Sequence, residues 1–196
     1  MNNVIKNNNF LFFYGKKLFY SSLLLLSLIL LIGRCYSQYR LNLIRKNSEI
    51  YQFNLNMLNS NKFIENISRF SFKKNIYGSL TALNLAKKYV INNEFHKAEI
   101  ILKNNLLFIH DKNIISIYRL YIARLQLQQN NISAALITLN KINDSSWKKI
   151  FIDVQGDIIL REGKIEKAKK TWSEGIHITS SLMMISILQM KINQLL

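Results

Sequence analysis

Proline is absent from all 196 residues, where average usage would supply about ten. A chain without it has no forced helix break, which fits an almost wholly helical fold. It also lacks the proline that often closes helical repeats. Cysteine is nearly absent: Cys35 stands alone, which excludes an internal disulfide and leaves the redox compartment unread from thiols. Acidic residues are scarce, 11 against 27 lysines and arginines, for a net charge of +16. That excess does not make a nucleic-acid surface. Residues 1–77 carry 11 basic and 2 acidic groups and residues 78–196 carry 16 and 9. The charge is therefore dispersed, with no block of five like charges and no aromatic–basic interleaving. Lys, Asn and Ile are inflated throughout, linkers included, so the basic balance reads as compositional drift, and no nucleic-acid partner is expected.

Chemical motifs are lacking too. No G-x-S-x-G, Walker loop or G-x-G-x-x-G occurs. His96, His110 and His177 are scattered over different elements with no His-x₃-His pair, whereas a metal site needs several converging ligands. Asp153 and Asp157 stand four apart, as an acid–base pair could on a helix. Lys149 one turn earlier and Arg161 one turn later make them read as a solvated charged face. Neither catalytic residues nor a metal or cofactor site is expected.

What is present is a repeated helical hairpin. Phe151–Gly175 reads as two helices about a tight turn, with Gly156 and Ala168 where the helices meet, Gly163 at the turn, and Trp172 and Gly175 following. Helices approach to about 8 Å only where side chains are small, and a large aromatic beside them fills the groove to the next hairpin. This is the tetratricopeptide pattern, with a period of about 34 residues. Shifting back 33 residues places Ala123, Asn130, Ala135 and Leu139 in the same roles. A further 37 places Ala86, Asn93, Ala98 and Leu102, with Leu85 and Tyr89 at two more pattern positions. The four additional residues are expected in the connector around Phe108–Asn113, where an insertion costs little.

In chain order, residues 1–17 read as a tail, polar and disordered over Met1–Asn9. Leu18–Gly33 is uncharged, and its sixteen residues of helix cover about 24 Å of a bilayer core of about 30 Å. Arg34 can snorkel and extend the span to Tyr36; aromatics at both ends suit a membrane belt. A cleaved signal peptide needs small residues after the apolar run. Arg34-Cys35-Tyr36 supplies none, and Arg34 equally disfavours a lipoprotein Cys35, so an uncleaved anchor over 18–36 is expected. Flanking charge gives no orientation: Lys6, Lys16 and Lys17 precede the span, and Arg34, Arg40, Arg45 and Lys46 follow it. Residues 37–76 read as a juxtamembrane helical region with a polar break at Asn59–Lys62 and a short amphipathic helix at Phe63–Phe72. Residues 77–179 hold three hairpins, and 180–196 a helix capping the last one. The fold class is all-α: a transmembrane helix followed by a tetratricopeptide-like solenoid.

In such arrays the first helix of each hairpin lines the concave side. The candidate peptide-binding groove is therefore Leu83, Lys87, Val90 and Ile91; Leu120, Arg124, Leu127 and Gln128; and Asp153, Asp157, Leu160 and Arg161. Its mix of aliphatic and charged groups suits an extended or partly unfolded polypeptide.

With these residues in hand, the chain resembles the YfgM family, ancillary subunits of the bacterial SecYEG translocon. The likeness covers the short tail, the span ending at Gly33-Arg34 and the repeats. It is closest at Tyr77-Gly78-Ser79-Leu80 leading into Leu83, Leu85 and Ala86, at Ala123-Arg124-Leu125, at Trp147, Gly156, Gly163 and Trp172, and at Met190-Lys191-Ile192-Asn193. The resemblance implies a non-enzymatic inner-membrane protein with a cytoplasmic N-terminus and a periplasmic repeat domain. Its partners would be the SecYEG translocon, the periplasmic chaperone PpiD and exported polypeptides, whose trafficking it assists. The alternatives are a structural assembly factor and a cytoplasm-facing tetratricopeptide adaptor.

Overall fold

A computed structural model describes residues 2–57, 64–143 and 145–195. Among the described residues all regular structure is helical: α1 (Asn2–Met57), α2 (Ile64–Ser71), α3 (Ile76–Ile91), α4 (Phe95–Leu106), α5 (Lys112–Gln128), α6 (Ile132–Asn140), a 3₁₀ turn at Ser145–Trp147, α7 (Lys148–Arg161), α8 (Ile165–Ile178) and α9 (Leu182–Asn193). The all-α expectation holds. The chain divides into two compact units, Met1–Ile50 and Tyr51–Leu196.

The first unit is helical from Asn2 onward, so the start expected to be disordered continues the helix. No proline interrupts it, and an established helix propagates at little cost per residue. Within α1, Lys17–Asn56 is long and apolar enough to cross a membrane. Its leucines and isoleucines from Leu18 to Ile32 are exposed along their length. The polar break expected at Asn59–Lys62 lies outside the described residues.

The second unit is a stack of hairpins, and its turns show why the sequence folds this way. Asn93, Asn130 and Gly163 follow α3, α5 and α7 with φ of 60°, 60° and 81°. Glycine and asparagine tolerate this left-handed region best. In each case the next residue donates its N–H five residues back: Glu94 to the Tyr89 carbonyl at 2.8 Å, Asn131 to Gln126 at 2.8 Å and Lys164 to Ile159 at 3.2 Å. These are three copies of one Schellman cap. Helix starts are capped by side chains: the Asn75 carbonyl oxygen accepts from Gly78, Asp111 from Asn113 and Ile114, Asn131 from Ala134, and the Ser181 hydroxyl from Met184. Such caps contribute about 1 kcal/mol each.

Three core clusters follow the stack. Ala82, Ala86, Ala98, Leu102, Tyr118 and Ile122 join α3, α4 and α5. Leu120, Ala123, Leu127, Ala135, Leu139, Val154 and Ile158 join α5, α6 and α7. Ile152, Ile159, Ala168, Trp172 and Leu188 join α7, α8 and α9. Each core is closed by the first helix of the next repeat, and the last by α9. The spacing of 37 residues between Asn93 and Asn130, against 33 between Asn130 and Gly163, has a different origin from the one expected. Helix α4 has 12 residues and α6 has 9; α5 has 17 and α7 has 14. The additional residues lengthen two helices rather than the connector, since nothing in either helix stops it and a helical residue keeps its backbone bond.

Two buried polar networks tie the first repeats together. The Tyr118 hydroxyl donates to the Ser79 carbonyl at 2.7 Å and lies 3.1 Å from Asn105 Oδ1, while Asn105 Nδ2 donates to the Ser71 carbonyl. Burial holds the Tyr118 phenol far above its ordinary range. The second network centres on Glu99, whose carboxylate accepts from Gln126 at 2.8 Å, Gln129 at 2.7 Å and Lys103 at 2.7 Å. Gln126 in turn accepts from the Thr138 hydroxyl at 2.8 Å. Burial pushes the Glu99 pKa up, but Lys103 and the two amides together hold it below the carboxylate's usual 4.5.

A depressed carboxylate pKa contributes stability above its unfolded value that is lost as pH falls through the folded one. Glu99→Gln is therefore expected to cost about 1–2 kcal/mol near neutral pH. The gap to the parent should close as pH falls below about 4.5. Thermal unfolding followed by circular dichroism across that range measures it; a constant gap would remove Glu99 from the acid response.

Candidate functional site

The first helices of the first two repeats meet through Ala82, Ala86, Tyr118 and Ile122, but beside that contact they leave open positions that are shut between the second and third. In the register of the turns, Leu83 and Val90 of α3 correspond to Leu120 and Leu127 of α5. Leu120 and Leu127 are buried against Val154 and Ile158 of α7. Leu83 and Val90 instead line a cavity of about 910 Å3. Its walls are Leu83, Asn84, Ala86, Lys87 and Val90 of α3, Asn93 at the turn, Phe95 and Leu102 of α4, and Ile117, Tyr121, Arg124, Leu125 and Gln128 of α5. Ile117, Tyr121, Arg124 and Gln128 form one stripe of α5 by their spacing of four, three and four. The charged residues of the lining are Lys87 and Arg124, both basic.

Five of the twelve candidate groove residues, Leu83, Lys87, Val90, Arg124 and Gln128, thus share this cavity. The other seven do not. Leu120 and Leu127, expected on the open face, are core residues, because α7 packs over the side of α5 that they occupy. Ile91 is 70% exposed and outside the lining. Leu160 packs on the third core cluster, and Arg161 is exposed.

Asp153 and Asp157 have a different role from the solvated face expected of them. Asp153 is buried; it accepts from Arg124 Nη2 at 3.1 Å and from the Lys191 ammonium of α9. The same ammonium lies 2.6 Å and 2.8 Å from the two oxygens of Asp157 and 5.6 Å from the centre of the Trp172 ring. Burial raises the Asp157 pKa, Lys191 pulls it back and Asp153 pushes it up, leaving it above the ordinary carboxylate value. The partners are cross-helix, so the pair fastens the last helix to the third repeat. Arg124 belongs to both places, at the cavity wall and at the edge of this network. Among the described residues, no three His, Cys, Asp or Glu side chains gather as metal ligands would.

This architecture has relatives. Residues 9–196 match the family model described as a tetratricopeptide repeat-like domain. The chain is 34% identical over 156 residues to the ancillary SecYEG translocon subunit of Buchnera aphidicola subsp. Schizaphis graminum (strain Sg), covering 80% of this chain and 79% of that protein. It is 32% identical over 169 residues to the protein of the same name from Escherichia coli (strain K12), covering 84% and 82%. The chain belongs to the ancillary SecYEG translocon subunit family. No solved structure matches it.

In this member of the translocon-subunit family, the sequence reading missed Ile117 and Tyr121, and it missed what Lys191 does. The α5 stripe was available as an i, i+4, i+7, i+11 series running through Arg124. The α3 positions carried forward by 37 keep Arg124 and Gln128 of that stripe but take Leu120 and Leu127 from the neighbouring face in place of Ile117 and Tyr121. Lys191 lies in the segment Met190–Asn193 that carries part of the family resemblance, but nothing local to it names two aspartates 34 and 38 residues away.

Proposed function

We propose that the chain is a non-enzymatic ancillary subunit of the SecYEG translocon, anchored in the bacterial inner membrane through its N-terminal span. The repeat domain stands in the periplasm. There it meets exported polypeptides and a membrane-anchored periplasmic chaperone of the PpiD type, and assists export by protein–protein contact. The observation that carries this reading is the pairing, in one chain, of one candidate span among the described residues with a tetratricopeptide-like domain, across most of the length of relatives named for the translocon. The +16 charge adds no opposing signal, because it is dispersed over both halves of the chain.

Topology tests it. With Cys35 replaced by serine and Ser180, an exposed residue between α8 and α9, replaced by cysteine, a membrane-impermeant maleimide is applied to intact spheroplasts. Labelling without lysis is the expected result. Protection until lysis, with a lysed control that labels, would overturn the periplasmic reading in favour of a cytoplasm-facing adaptor.

A further inference from the structure

We infer that the open junction between the first and second repeats is a binding site for an extended polypeptide segment carrying apolar side chains beside a carboxylate. The inference rests on the proposed function only for where such a segment comes from. The site itself follows from a contrast within the molecule. The second and third repeats meet through Leu120 and Leu127, shut under α7; the equivalent Leu83 and Val90 face a cavity of about 910 Å3. Pockets of roughly 300–1,000 Å3 hold drug-sized ligands, so this one takes two or three side chains rather than a folded surface.

The lining states the ligand's chemistry. Leu83, Val90, Ile117 and Tyr121 offer aliphatic and aromatic surface, and Tyr121 is 45% exposed beside it. Burying that surface is the driving term. The charged groups of the lining are the two cations Lys87 and Arg124, with no carboxylate among the lining residues. Arg124 commits Nη2 to Asp153 and its side chain stays 44% exposed, and a guanidinium has five N–H donors in a fixed fork. A carboxylate arriving from the groove meets the rest of that fork, with Lys87 as the second positive charge. A lysine or arginine in the same place faces two like charges.

Fluorescence anisotropy on the full chain in detergent tests this with three labelled peptides. One has two leucines and two glutamates in a serine background; the others carry glutamine or lysine at the glutamate positions. The glutamate peptide is expected to bind about tenfold more tightly than the lysine peptide, the glutamine peptide falling between, as two or so screened charge contacts allow. Val90→Trp, which puts a bulky ring into the cavity from its open wall, should weaken the glutamate peptide at least about tenfold. Lys87→Glu, at an exposed position, leaves one cation and one carboxylate in the lining and should abolish most of the preference for the glutamate over the lysine peptide. Should Val90→Trp fail to fold, Lys87→Glu decides alone. No saturable binding by the parent chain, undiminished binding to a folded Val90→Trp variant, or a glutamate-over-lysine preference undiminished by Lys87→Glu would each overturn the inference. The thiol labelling at Ser180→Cys does not read this groove. A failed titration with a labelled domain therefore removes the ligand class and leaves the periplasmic placement standing, and a protected domain does the converse.

Discussion

Truncating Trp172 to alanine is expected to destabilise the repeat domain by about 3–5 kcal/mol, the range for emptying a buried tryptophan site. Trp172 is 1% exposed, and its indole N–H donates to the Asp153 carbonyl at 3.2 Å. It shares the third core with Ile152, Ile159, Ala168 and Leu188, so the void would open between the last hairpin and its cap. The partner in this contact is Gly156. A Cβ built there would fall 2.0 Å from the Trp172 indole nitrogen, a separation no packing tolerates, and the ring is held on its other sides by the core. Gly156→Ala should therefore be destabilising by several kcal/mol, although alanine is the better helix former by about 1 kcal/mol. In the Trp172→Ala background the clash has no second party, and Gly156→Ala should become neutral or stabilising. Urea unfolding of the two single variants and the double variant closes the cycle. Additive losses would mean that the helices do not meet through this pair.

That contact also shows what could be read from the amino acids alone. Gly156, Ala168 and Trp172 were legible as a packing unit because small residues at a crossing and a large one beside it are a local requirement of hairpin geometry. Asn93, Asn130 and Gly163 were legible because a left-handed turn selects asparagine and glycine. The candidate groove was legible only in part. Periodicity says which residues of one helix share a face, but not which face the next repeat covers. Leu120 and Leu127 have the same spacing as Leu83 and Val90, yet α7 buries the first pair while the second lines the cavity. The lengths of α4 and α5 escaped for a related reason: no proline or glycine marks their ends, so the turn-to-turn spacing could not say whether added residues extended a helix or a loop. The aspartates of α7 were misread because Lys149 and Arg161 are neighbours on the same helix, whereas the cations that reach them come from α5 and α9.

Those cations carry the second large effect. Replacing Lys191 with methionine keeps the apolar stem and removes the charge, leaving Asp153 and Asp157 facing each other. Breaking a fully buried pair costs about 3–5 kcal/mol; the 22% exposure of the Lys191 side chain and the 30% of Asp157 reduce that to about 2–3 near neutral pH. The loss should depend on pH with a definite sign. The folded-state pKa of Asp157 already lies above its ordinary value, through burial first and Asp153 after it, with Lys191 the main opposing influence. A carboxylate raised in this way contributes stability that is present below its unfolded pKa and lost as pH rises through the folded one. Removing Lys191 raises it further, so the variant should be weakest near neutrality and gain on the parent as pH falls toward the ordinary aspartate range of about 4. Asp157→Asn in the Lys191→Met background should recover part of the neutral-pH loss, since the amide is isosteric and ends the repulsion from Asp153. Thermal unfolding of parent, single and double variants over this pH range gives the answer. A pH-independent loss with no recovery from Asp157→Asn would mean that Lys191 holds α9 in place by its stem, packed over Trp172, and not by its charge.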